Sequence, residues 1–321
     1  MSAAPWPQTD EQLEAAHCRF GVDRVAGQPT EVSEFKRRAR WQQAWWREEQ
    51  RLPIGEHLTP RATKPVLNGS RIRYEDARRG GSNFLSPRIR AAVDDRLAHP
   101  QPHQTLDERR LWSDLLSSMP MCFNLFGELH GAPERLAAAV DTLWPGHPGV
   151  PETLAFEWSP GRRQRDYLGN RSAFDAAILL DLPDGGHGVL GIETKYHEDI
   201  RRERPPDSEK RMPRYREVTE RSGAFRPDWE AKVVGTALQQ LWLDHLLLLS
   251  MLQHPTGDWR WGRFVIVYPA ANPSVREAVR CYADILKDPD TFESRTIDEL
   301  LSARVLHEPA TAEMFRRRYL W

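Results

Sequence analysis

Apolar and polar positions along the chain follow two different periods, and the change comes near residue 150. Before it, "EVSEFKRRARWQQAWWREEQ" predicts a helix over Glu31–Gln50, with Trp41 and Trp45 four apart on one face and arginines around them. The Pro-, Gly- and Arg-rich segment from Arg51 to Gly81 reads as a surface crossing. "SPRIRAAVDDRLAH" predicts a short helix with Ser86 as its N-cap and Pro87 at its first position. Helical spacing resumes from Leu106 to Leu143, with breaks expected at Pro120 and Pro133.

After that the period shortens. "ETLAFEW" (Glu152–Trp158), "SAFDAAILLDL" (Ser172–Leu182) and "HGVLGIETKY" (His187–Tyr196) predict three strands, with "PDGG" as the turn between the last two. Residues 201–226 hold nine basic and five acidic side chains and read as a basic, solvated loop. "DWEAKVVGTALQQLWLDHLLLLSML" predicts one long helix over Asp228–Leu252, with Val234, Leu238, Leu241, Trp242, His245 and Leu249 on one face. "RFVIVYP" (Arg263–Pro269) is continuously apolar, as in a strand buried on both sides. A helix over Ser274–Leu286, a short strand near Thr291–Arg295 and two small helices complete the pattern. The fold class is therefore α/β: a mixed sheet with an antiparallel meander, flanked by helices, plus a helical N-terminal extension. The expected division is an accessory region over 1–105 and a main domain over 106–321.

Composition narrows the class. The chain has 321 residues, 40% of them hydrophobic, which suits a globular protein with a full core. Cys18, Cys122 and Cys281 lie far apart, with neither zinc spacing nor a disulfide framework, and point to a reducing compartment. "LLLLSML" is too short to span a bilayer, and the N-terminus lacks an apolar signal core, so no membrane association and a cytoplasmic location are expected. The net charge of −1 gives no global basic field. Only six of 45 basic residues are lysine, so a lysine in a strand stands out.

That lysine is Lys195, in "GIETKYHEDI". The triplet E-x-K occurs three times, as Glu34/Lys36, Glu193/Lys195 and Glu230/Lys232. On a helix, residues two apart diverge; on a strand they share a face. Only Glu193 and Lys195 are strand-borne, with Leu190, Ile192 and Thr194 on the other face. A turn at Asp184-Gly185 pairs residue 175 with 194, and a turn at Gly185-Gly186 pairs it with 196. Either register sets Asp175 opposite, or one step from, the Glu193/Lys195 segment. Two carboxylates at cross-strand spacing suit a hard divalent cation, with Lys195 completing the charged cluster. Pro183-Asp184, a literal "PD", falls in the turn and is a decoy. "GHGVLG" matches G-x-G-x-x-G but lacks the strand before and helix after that a dinucleotide site needs.

Asp175 followed by Glu193-Thr194-Lys195 on the next strand of a meander resembles the PD-(D/E)XK nuclease superfamily, the restriction-endonuclease-like fold. "SSMPMCFNLFGEL", "LGNRSAFDAAILLDL", "IETKYHED", "LQQLWLDHLL" and "FVIVYPAAN" are similar to a bacterial branch of restriction-endonuclease-like proteins. The resemblance covers roughly Leu106–Leu301. It implies a magnesium-dependent endonuclease, with manganese able to substitute. The metal ligands would be Asp175, Glu193 and the Thr194 carbonyl, and Lys195 would orient or activate the attacking water. Phe174 departs from the motif, which has proline before the first acid. A further acid is usual on the helix before the meander, where Glu128 stands. Glu157 can approach Asp175 across its own hairpin, and Gln239 can face the site from the long helix. Arg162, Arg163, Arg165 and Arg171, with the 201–226 loop, are candidate phosphate contacts. The implied partner is nucleic acid, DNA first, and a homodimer is compatible with it. The implied role is restriction or phage defence. The competing classes are a non-catalytic nucleic-acid-binding module on the same fold, and an interaction protein presenting Trp41, Trp45 and Trp46.

Overall fold

The computed structural model describes residues 5–57 and 65–321. In chain order, helices α1 (Asp10–Ala15) and α2 (Thr30–Glu49) precede a hairpin of β1 (Ile54–His57) and β2 (Val66–Ile72). Then come α3 (Tyr74–Gly80), α4 (Pro87–Ala98), α5 (Glu108–Ser113), α6 (Ser118–Phe126) and α7 (Pro133–Leu143). The meander is β3 (Val150–Trp158), β4 (Phe174–Asp181) and β5 (His187–Thr194). After α8 (Met212–Ser222), α9 (Trp229–Val233) and α10 (Gln239–Leu252) come β6 (Trp259–Tyr268) and α11 (Pro273–Ala283). The chain ends with β7 (Phe292–Thr296), α12 (Ile297–Ser302) and α13 (Pro309–Tyr319).

The main sheet runs β3-β4-β5-β6-β7, antiparallel through β5 and parallel from β5 to β7. "FVIV" shows why its centre is apolar throughout. Val265 and Val267 enter one core with Ile178, Leu190 and Ile192; Phe264 and Ile266 enter the other with Ala177 and Val189. Each such aliphatic side chain is worth roughly 1.5–3 kcal/mol when fully buried. The first core also takes in Met121 and Phe126 of α6, Val140 of α7, Ile89 of α4 and Trp46 of α2, so residues on both sides of position 105 contribute to it. The second is built on Trp242 and Leu246 of α10, Tyr215 of α8 and Tyr282 of α11.

Several local expectations are corrected. Residues 228–252 form two helices because Gly235 has φ +69°, a conformation that ends helices and favours glycine, and Gln239 Oε1 accepts its N–H at 2.8 Å. Pro120 breaks nothing: it sits in the first turn of α6, where no N–H is needed. The segment from Arg51 to Gly81 holds the β1–β2 hairpin and α3, apart from 58–64, which lie outside the described residues. The basic stretch 201–226 contains α8, whose Met212, Tyr215, Val218 and Thr219 form a buried face against α10 that Pro213 and the flanking charges obscure. The tryptophans of α2 belong to packing: Trp46 is buried beneath Arg318, whose guanidinium lies 4.4 Å from its ring centre, and Arg317 lies 5.4 Å from that of Trp45.

Candidate active site

The register places the acids. Asp181 pairs with His187, so the five residues 182–186 form the turn, three more than either two-residue reading of the sequence, closed by Leu182 N–H to the Gly186 carbonyl at 3.0 Å. Ala176 then pairs with Ile192, and the same step continues to Asp175 opposite Glu193. On the other flank Phe156 pairs with Ala176 and Trp158 with Phe174, which sets Glu157 alongside Asp175. Three neighbouring strands thus bring Glu157, Asp175 and Glu193 to one level. Asp184 stays in the turn, exposed and paired with Arg260 at 2.7 Å.

Each acid is held differently. Asp175 Oδ2 accepts the Thr194 N–H at 2.8 Å and its hydroxyl at 2.6 Å. Glu193 Oε1 accepts Lys195 Nζ at 2.7 Å. Lys195 is the first residue past β5, yet its N–H still donates to the Val267 carbonyl at 2.8 Å, so it keeps strand direction and shares a side with Glu193. Glu157 has φ +46°, costly by about 1–3 kcal/mol for a residue with a side chain. Two buried arginines over-determine it: Arg96 binds the Phe156 carbonyl at 2.8 Å and Arg162 binds the Glu157 carbonyl at 2.8 Å.

Phe174 accounts for the departure from proline. A Cβ at Gly191 would come within 2.6 Å of its ring, so the ring occupies the space that the missing side chain leaves. It stacks on Trp158 at 6.5 Å between centres and joins the second core. Ala177, three residues on, joins the same core.

The electrostatics single out one cluster. Burial and the Asp175 charge push the Glu193 carboxyl well above its ordinary range, against the pull of Lys195. Burial and Asp175 also raise Glu157 to about 7, opposed by Arg162, Arg96 and Arg110. Asp244 of α10 is pushed up to about 7 by burial, Asp175 and Glu203, with Lys195 opposing. Burial works against the Lys195 charge, but Glu193, Asp244 and Glu198 outweigh it and hold the ammonium above its ordinary range. Burial would likewise raise Glu198, yet His197, Lys195, Arg110 and the Tyr196 N–H bring it down to about 2.

Other expected site residues lie elsewhere or do other work. Glu128 is buried away from the row, where Oε2 accepts the His307 and Glu308 N–H groups at 2.9 and 3.1 Å at the start of α13. Gln239 does not reach the acids; its amide ties down the Glu203 carboxylate at 3.1 Å and the Arg204 carbonyl at 2.9 Å. Arg162 supports the Glu157 backbone and is buried, so it is no open phosphate contact. Arg163, Arg165 and Arg171 are exposed on the β3–β4 loop. Asp244 escaped the sequence reading, although a lone acid inside "LWLDHLLLL" is the signal that marks it.

Among the described residues no group of three or more His, Cys, Asp and Glu side chains is arranged to hold a metal ion. The donor set nevertheless suits a hard cation. Asp175 Oδ1 and Glu193 Oε2 take no hydrogen bond among the described residues, and their carboxylates repel each other at a half-buried site.

The family model for the PD-(D/E)XK nuclease superfamily matches residues 30–321. The chain belongs to this superfamily. The match extends the resemblance on both sides and takes in α2, the β1–β2 hairpin and α13. No curated protein and no solved structure matches the chain. The five-stranded mixed sheet accords with the superfamily fold. Among the described residues no helix is long and apolar enough to cross a membrane.

Proposed function

We propose that the protein is a metal-dependent nuclease that hydrolyses phosphodiester bonds, with DNA the first substrate to test and a bacterial cytoplasmic role in restriction or phage defence. The observation that carries this reading is the convergence of Asp175, Glu193 and Lys195 at one end of the hairpin, with Glu157 and Asp244 beside them. Asp175 and Glu193 would hold magnesium, or manganese in its place, through their uncommitted oxygens, with the Thr194 carbonyl as a third donor. The bound metal would supply Lewis-acid polarisation of the phosphate and lower the pKa of water. Lys195 stays protonated, so Nζ serves as a hydrogen-bond donor to the attacking water or a non-bridging phosphate oxygen, and not as the base. Glu157 and Asp244, titrating near neutrality, are the groups able to take up the proton that the water loses.

One observation favours a second reading. Asp175 and Glu193 each commit one oxygen to a donor of the chain itself, as a binding module without catalysis would also do. A screen of DNA and RNA substrates with magnesium, with manganese and with chelator separates the two. Metal-dependent cleavage is expected; binding without cleavage under either metal would establish the binding module instead.

A further inference from the structure

A cavity of about 350 Å³ opens between the β1–β2 hairpin, the start of α3 and the first turn of α5. Arg71, Arg73, Tyr74, Arg109 and Arg110 line it. Two of these arginines are largely committed. Arg73 pairs with Asp76, and Arg71 Nη2 pairs with Asp114 at 2.7 Å, although Arg71 Nε is buried with no partner. The other two are open. The Arg109 guanidinium lies 5.1 Å from the Tyr74 ring centre and has no carboxylate partner among the described residues. Arg110 uses only Nε, donating to Ser117 Oγ at 2.6 Å. Of the acids on the rim, Asp107 caps the Arg110 N–H at 3.0 Å, while Glu56 and Glu75 are exposed.

The cavity adjoins the carboxylate row. Ser117, which holds Arg110, precedes Ser118, whose carbonyl lies 3.4 Å from Thr194 Oγ1, and that hydroxyl binds Asp175. Arg110 also acts electrostatically on Glu157 and Glu198, the acids flanking the row. Guanidinium forks suit phosphate oxygens, and an arginine–tyrosine stack offers flat faces to a base.

We propose that this cavity is a nucleotide subsite that receives one nucleotide of the substrate strand beside the scissile phosphate. Its phosphate meets Arg110 and Arg109, and its base stacks on the Tyr74–Arg109 pair. The substrate class rests on the nuclease reading of the row; the subsite itself does not need the row to be active.

The test is fluorescence anisotropy of a labelled single-stranded oligonucleotide, as DNA and as RNA, with the full chain in chelator. Tyr74→Ala and Arg109→Ala should each weaken binding about 5- to 150-fold, the range of a lost base stack, while Tyr74→Phe keeps the ring and should restore it. Unchanged affinity in Tyr74→Ala and Arg109→Ala proteins that melt at the wild-type temperature overturns the subsite. Adenosine monophosphate as competitor separates the sources. Weak competition supports a strand subsite, and competition as strong as that of the oligonucleotide replaces it with a free-nucleotide site. Cleavage measured in parallel keeps the two proposals apart. Binding that depends on Tyr74 in a protein that cleaves nothing sinks the nuclease reading and keeps the subsite. Metal-dependent cleavage with affinity indifferent to Tyr74 and Arg109 does the reverse.

Discussion

The same triplet has opposite fates on β5 and on α9. Glu193 and Lys195, two apart on a strand, turn to each other at 2.7 Å. Glu230 and Lys232, two apart on a helix, turn away: Glu230 pairs with Arg216 at 2.6 Å and Lys232 with Asp228 at 2.7 Å. Their titration diverges as well. The Arg216 partner lowers the Glu230 carboxyl, whereas burial and a facing aspartate raise that of Glu193. On α9 each charge has a single opposite partner and ample water. On β5 one lysine is shared among several half-buried acids, and the surplus negative charge is what a cation would offset. A three-letter pattern therefore carries no chemistry until its backbone period and its burial are known.

The comparison breaks most sharply at the lysines. Lys195→Ala should lower turnover by a factor on the order of 10² to 10⁴, the range for a positioned proton-transfer or donor group. Lys195→Arg should not restore it, because the planar fork cannot replace a compact ammonium. Lys232→Ala should cleave like wild type. Gel cleavage assays on the three variants decide the point; full activity in Lys195→Ala would remove the lysine from the mechanism.

Gly191→Ala tests whether the β5 acids depend on packing in a way that the α9 pair does not. The new methyl meets the Phe174 ring, so a loss of about 1–3 kcal/mol in chemical denaturation is expected, with weaker cleavage as Asp175 shifts. Wild-type stability would show that the ring yields freely. For the ligands themselves, Asp175→Ala and Glu193→Ala should weaken magnesium binding by calorimetry, and Glu230→Ala should leave it unchanged.

Proton linkage gives a smaller effect with a definite sign. Glu157 titrates near 7 in the folded protein against 4.5 as its ordinary value, and Asp244 near 7 against 3.8. Their folded pKa values are raised, so between those limits the native state binds more protons than the unfolded chain, and stability falls as pH rises. Melting temperature in chelator should therefore drop from about pH 5 to about pH 7, and magnesium should recover more of it at pH 7 than at pH 5. A metal-free profile that rises through this window as much in wild type as in Asp244→Asn would refute the assignment. The smallest effect belongs to α9: Glu230→Ala should change stability by roughly 0–1 kcal/mol, as exposed ion pairs do.

Legibility in the sequence followed the range of the forces involved. The three meander strands, the apolar β6 and the shared face of Glu193 and Lys195 were all readable, because period and burial pattern are local. The turn was misjudged by three residues, since five residues close it where a two-residue turn was expected and no dipeptide rule specifies that. Glu128 looked like a site acid from its position before the meander. Its carboxylate instead serves amides 179 and 180 residues away, a partner that only folding supplies.

By itself the sequence determined the three meander strands, that β6 is buried on both sides, and that one glutamate and one lysine share a strand face. These follow from residue type and from periods of 2 and 3.6, which need no knowledge of neighbours. The tertiary structure alone decided that Glu157 stands beside Asp175 in a strained backbone held by Arg96 and Arg162. It alone brought Asp244 from α10 to Lys195, and hung Arg110 between the carboxylate row and a cavity that the β1–β2 hairpin and α3 share with α5. Those charges lie far apart in the chain. Their pKa values and roles depend on distance and burial, which are set only when the sheet closes and its helices pack.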